Sequence, residues 1–172
     1  MSVMQSYEEK LTGQYAQVSK ERAEFRDEAA NMLGSVVQTL DQDWGKNYKL
    51  EYKGSDSSYH NPYTSSEANH DFVIVEPEKF LGVPVDITRA AIRVVDDGRQ
   101  AVQVRFPDLF GHINHGLYNL GLFGLGIYLG NKADGFNVEA YAVEGKEATL
   151  QGMKEPILAK FARAKVRGDF VP

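Results

Sequence analysis

The stretch Ile87–Pro107, ITRAAIRVVDDGRQAVQVRFP, reads as two extended runs joined at Asp96-Asp97-Gly98. With those three residues as the loop, Gly98 takes the left-handed position that a three-residue hairpin loop requires. Val95 then stands opposite Arg99, and the same register sets Ile92 against Val102, Ala90 against Val104 and Thr88 against Phe106. The last three pairs share one face, so turn chemistry and burial pattern agree on an antiparallel hairpin.

Other strands follow on either side. YKLEYK (Tyr48–Lys53) alternates Tyr48, Leu50 and Tyr52 with charged residues, the period of a half-buried strand. DFVIVEP (Asp71–Pro77) is apolar enough to be central, and Pro77 is expected to end it. FNVEAYAV (Phe136–Val143) is another strand, with a short one expected at EATL (Glu147–Leu150).

Helices flank this strand region. From Ser6 to Trp44, Tyr7, Leu11, Tyr15, Val18, Phe25, Ala29, Met32, Val36 and Leu40 recur in a helical stripe. Gly13 costs about 1 kcal/mol relative to alanine, so a break is expected near it. The stripe serves either to lay the helix across a sheet or to form a coiled-coil seam between protomers; Arg22, on the stripe, favours the sheet. KEPILAKFARAKVRG (Lys154–Gly168) is a C-terminal helix, with Pro156 in its first turn and Gly168 as its stop. The expected fold is one α+β domain over residues 1–172: a long N-terminal amphipathic helix, a mostly antiparallel sheet of about five to seven strands, and a C-terminal helix.

Composition narrows the function classes. The 172 residues carry a net charge of −5, 42% are hydrophobic and 25% charged, and none is cysteine. Disulfides, thiolate nucleophiles and cysteine zinc sites are thereby excluded. The acidic balance and the few aromatics near the arginines give no expectation of nucleic-acid binding. MSVMQSYEEK has no basic segment followed by an apolar one, so no secretory signal is expected and the cytoplasm is the expected compartment.

The segment FGHINHGLYNLGLFGLGIYLGNK (Phe110–Lys132) invites several readings. Its apolar part, Leu117–Leu129, is too short to span a bilayer, and no membrane span is expected. A dinucleotide glycine loop would need a helix where Gly130, Asp134 and Gly135 stand. As a strand, it sets Leu125, Ile127 and Leu129 on one side. Gly124, Gly126 and Gly130 then line a face that something could approach closely.

Three sets of residues carry what chemistry there is. His112 and His115, three apart, suit a divalent metal such as zinc if His60, His70 or Asp71 completes the set, and the reaction implied is metal-assisted hydrolysis. Plain turn and surface histidines are the alternative. In the hairpin register Arg89 and Arg105 are directly opposed, with Arg93 on the same side, which calls for a compensating anion. Glu76 or Glu51 could supply it, or a bound phosphate, carboxylate or acidic protein surface. The long loop Gly54–His70, with Tyr59, Asn61 and Tyr63, has the composition of a partner contact. With no catalytic motif and no cofactor implied outside the metal reading, the leading expectation is a non-enzymatic protein-binding module, an adaptor, chaperone or inhibitor. It is expected to bind another protein and to form a homodimer. A metal-dependent hydrolase and an anion or small-molecule binder are the alternatives.

Overall fold

Capping settles the first helix. In a computed structural model that describes residues 2–56, 68–96, 101–106, 137–142 and 150–172, α1 runs unbroken from Val3 to Trp44. The Ser2 side chain accepts from the Gln5 backbone N–H at 3.2 Å, and the Gln5 side chain accepts from the Ser2 N–H at 2.8 Å. Such a reciprocal cap contributes about as much as Gly13 costs, which is why the break expected at Gly13 does not occur. Gly45, at φ 63°, closes the helix.

Five strands follow among the described residues: β1 (Lys49–Asp56), β2 (Ala68–Phe80), β3 (Val83–Asp96), β4 (Ala101–Phe106) and β5 (Asn137–Ala142). They form an antiparallel meander in chain order. A 3₁₀ turn (Leu150–Met153) leads into α2 (Lys154–Arg167), so Leu150 is helical rather than part of a strand; Glu147–Thr149 lie outside the described residues. The fold is α+β. Both helices contribute to one core with the sheet: Phe25, Met32, Leu33 and Val36 of α1 and Ile157 and Phe161 of α2 join Phe72, Ile74, Ile92, Val102, Val104 and Phe106. Phe161 meets Phe106 and Phe170 edge-on, at 5.1 and 5.3 Å between centroids.

Two expectations about the sheet are corrected. The β3–β4 register pairs Val94 with Val102 and Ile92 with Val104, two residues away from the expected pairing. A shift of two preserves the faces, so Ala90, Ile92, Val102, Val104 and Phe106 are all buried as the alternation implies. Pro77 does not end β2, which continues to Phe80. β1 pairs with β2 only as far as Val75, so at Pro77 one side of β2 has no neighbour to miss the absent N–H. Beyond the sheet, β2 and β3 extend as an arm turned by Leu81 and Gly82, both at positive φ (50° and 79°). Its tip exposes Phe80, Leu81 and Val83.

Two bulges set which side chains reach each face. Between Tyr52 and Gly54 the β1 register slips, so that Ser55 rather than Gly54 stands opposite His70; Gly54 absorbs the kink at φ 114°. In β3, Ile74 pairs with Ala90 and Val75 with Thr88, leaving Arg89 as the inserted residue.

Candidate functional site

α1 is longer than the sheet it covers. At 1.5 Å per residue its 42 residues span about 63 Å. Its buried residues begin only at Phe25, and Val3 to Gln17 are all exposed. Where the helix passes the edge strand β1, a cleft of about 320 Å³ opens between the two layers. Tyr15, Val18, Ser19, Arg22 and Arg26 line it from the helix, spaced so that they share one face. Tyr52, Ser55 and His70 line it from the sheet, brought together by the β1 bulge and the β1–β2 pairing. Among the described residues, none of those lining the cleft is acidic.

His70 is the centre of this arrangement. It is only 3% exposed, its Nδ1 lies 3.0 Å from the Tyr52 hydroxyl, and its ring packs against Phe25 and Tyr52. Its buried Nε2 has no hydrogen-bond partner among the described residues. Burial pushes its pKa below the ordinary histidine value; the nearby Arg26 and Arg22 charges push the same way, and Asp71 opposes them. Arg26 stacks over the Tyr52 ring with its guanidinium carbon 5.9 Å from the centroid, and holds Asp27 at 3.0 Å.

The sheet's other face carries Asp71, which receives two bonds from Arg93, at 2.7 and 2.9 Å. His70 and Asp71, adjacent in β2, therefore serve opposite faces, His70 under α1 and Asp71 with Arg93. Among the described residues no group of three or more potential ligands could hold a metal ion. His60, His112 and His115, the partner-loop residues Tyr59, Asn61 and Tyr63, and the glycine face of Gly124, Gly126 and Gly130 lie outside the described residues.

The arginine face is rearranged by the β3 bulge. Arg105 pairs with Ala91 and Arg93 with Gln103, so no two arginines are directly opposed in this register. Arg89, one residue out of phase, donates to Glu76 at 2.7 Å, and Glu76 also accepts from Lys46 at 2.9 Å. Burial alone would raise the Glu76 pKa, but the hydrogen bonds and charges of Lys46 and Arg89 outweigh it and hold the carboxyl below its ordinary value. Glu76, one of the two acids named as compensation in the sequence, neutralises Arg89; Glu51 pairs with Lys53 instead. This cluster pins the C-terminal end of α1 to the sheet.

A second feature occupies the exposed half of α1. Met4, Tyr7, Leu11 and Tyr15 are 65%, 59%, 43% and 41% exposed and, with Val18, continue the stripe that is buried farther along. No helix among the described residues is long and apolar enough to cross a membrane. The chain matches no family model, and neither the curated proteins nor the solved structures compared with it gave a match.

Proposed function

We propose that this chain is a non-enzymatic, cytoplasmic protein-binding module that works as a homodimer joined through the exposed half of α1. The observation that supports it is the symmetry of the exposed stripe. Residues 4, 7, 11, 15 and 18 are arranged symmetrically about Leu11, so an antiparallel copy sets Met4 against Val18, Tyr7 against Tyr15 and Leu11 against Leu11. A twofold interface needs such self-complementarity, since the same patch must serve both subunits. The 3–4–4–3 spacing averages 3.5 residues per turn, which suits two helices wound gently about each other in a left-handed sense. The dimer presents two β2–β3 arms, whose apolar tips at Phe80, Leu81 and Val83 this reading gives to the second protein.

Because the chain contains no cysteine, a single introduced thiol reports the geometry directly. Oxidation should link Leu11→Cys to its own copy, since residue 11 meets itself at the axis within disulfide reach of about 4.4–6.8 Å between Cα atoms. Met4→Cys should stay unlinked, its counterpart lying about two helical turns from the axis on either side. Sedimentation should show a dimer that Leu11→Asp turns into a folded monomer. A wild-type monomer at tens of micromolar, or efficient self-linking of Met4→Cys, would sink the proposal.

A further inference from the structure

We propose that the cleft between α1 and the β1–β2 edge binds a tetrahedral dianion of the phosphate-ester class. The site adjoins the dimer seam, with Tyr15 and Val18 on both, but differs from it in chemistry and rests on the polar side chains assembled there.

The charge balance of the cleft comes first. Arg22 and Arg26, one helical turn apart on α1, line it with no carboxylate among the described lining residues, and Arg26 also bonds the exposed Asp27 at 3.0 Å. Exposed pairs such as Arg26–Asp27 are weak, so a dianion in the cleft can recruit both guanidinium groups, whose planar forks suit phosphate oxygens. The neutral groups complete the set. Ser19 on the helix and Ser55 on the strand offer hydroxyls from the two walls, so oxygens pointing in different directions can each meet a donor.

His70 is the second, independent observation. A ring that is 3% exposed, with a buried Nε2 lacking a partner among the described residues, costs free energy unless something bonds to it. When the Tyr52 hydroxyl donates to Nδ1, Nε2 carries the hydrogen and becomes a donor for an oxyanion. The bulge at Tyr52–Gly54 gains a purpose from this, because regular pairing would set a glycine opposite His70 and remove one hydroxyl. The size fits as well: about 320 Å³ is at the small end of ligand pockets and takes a phosphate with a modest organic group, with Tyr15 and Val18 as its apolar wall.

Protonation links the site to pH. The groups facing His70 are Arg22 and Arg26 from α1 and Tyr52 from β1; its β2 neighbour Asp71 is held by Arg93, and its β3 partner Val94 is apolar. In the empty cleft burial favours neutral imidazole, and the Arg26 and Arg22 charges add to it. A bound dianion reverses that field, so binding takes up a proton and tightens as pH falls from 8 towards 5.5.

The test is a thermal-shift and calorimetric titration of the intact chain with sodium sulfate, inorganic phosphate, phenyl phosphate and acetate, each against sodium chloride at equal ionic strength. Sulfate and both phosphates should bind saturably, with phenyl phosphate tightest. Arg22→Gln and Arg26→Gln should each weaken sulfate binding about tenfold. Sulfate keeps its charge across this pH range, so its tightening at low pH reports the protein; His70→Gln should abolish that pH dependence. Arg93→Gln, on the other face, should bind as wild type. Arg26 is partly exposed, so its variant keeps the test valid if Arg22→Gln fails to fold. No shift beyond chloride, equal binding by acetate, or sulfate binding unchanged in Arg26→Gln would overturn the proposal. Leu11→Asp should retain sulfate binding, which separates failure of this site from failure of the dimer.

Discussion

From Phe25 to Leu40 the apolar stripe of α1 is shut away from water, whereas from Met4 to Tyr15 residues of similar type and spacing keep between 41% and 65% of their surface exposed. The helix is continuous through both halves, so the difference lies in what is beneath. The C-terminal half has a sheet under it and is tied down at its end by Gly45 and by the Lys46–Glu76–Arg89 cluster. The N-terminal half has its cap and its own hydrogen bonds, among them Gln17 to Glu21 at 2.7 Å. Periodicity therefore reports that a helix has a face to bury, and leaves open which surface buries it. The cleft forms at the point where one regime gives way to the other.

The sharpest way to break this contrast is to truncate one side chain in each half. Met32 is fully buried, and Met32→Ala should lower the free energy of unfolding by about 2–5 kcal/mol, the cost of lost burial plus a cavity. Leu11→Ala should change the stability of the dilute monomer by less than about 0.5 kcal/mol, as exposed substitutions do. Urea denaturation below the dimer's dissociation range checks both. A comparable loss from each would mean that the N-terminal half is covered within its own chain.

The same boundary limited what could be read from residue order. Arg22 stands out in the sequence because it interrupts an apolar stripe, and His70 because it ends a polar loop. Nothing local connects them, since the chain brings them together only by laying α1 over the β1–β2 edge. The faces of β3 and β4 were legible because alternation survives a shift of two, whereas the register itself depended on the turn. Strand β2 outran its proline because only the neighbouring strand's length decides whether Pro77 leaves a hydrogen bond unmade. The expected opposition of Arg89 and Arg105 does not occur for a related reason: a one-residue bulge at Arg89 has no signature in an alternating pattern, yet it turns the side chain towards Glu76.

Acid should act on the two anchored regions in sequence. His70 has a lowered pKa, so the unfolded chain binds more protons than the folded one once pH falls below about 6.5, and stability declines through that range. Glu76, also lowered, keeps its contribution above its ordinary value of about 4.5 and loses it as pH falls through the folded-state value. Melting temperature against pH should thus show a first decline below 6.5 that His70→Gln flattens, and a steeper one below 4.5 that Glu76→Gln flattens. A wild-type curve level from pH 7 to 5 would show that His70 charges without cost, and would remove the electrostatic contrast between the cleft and the pinned end.

The smallest effect separates the halves by backbone alone. Gly13 and Gly34 lie in the same helix, and a Cβ at either would meet nothing within 4 Å. Alanine at each should therefore gain up to about 1 kcal/mol of helix propensity without a packing penalty. In the C-terminal half that gain belongs to the folded domain and should appear in the global unfolding free energy. At Gly13 it belongs to a segment, Val3 to Gln17, in which every residue is exposed, and such a segment opens locally far more often than the domain unfolds. Gly13→Ala should accordingly slow amide exchange within about a turn on either side and leave the urea midpoint of the dilute monomer unchanged, while Gly34→Ala moves the midpoint. If Gly13→Ala moves it equally, the two halves of α1 unfold as one unit and the distinction drawn between them is one of exposure only.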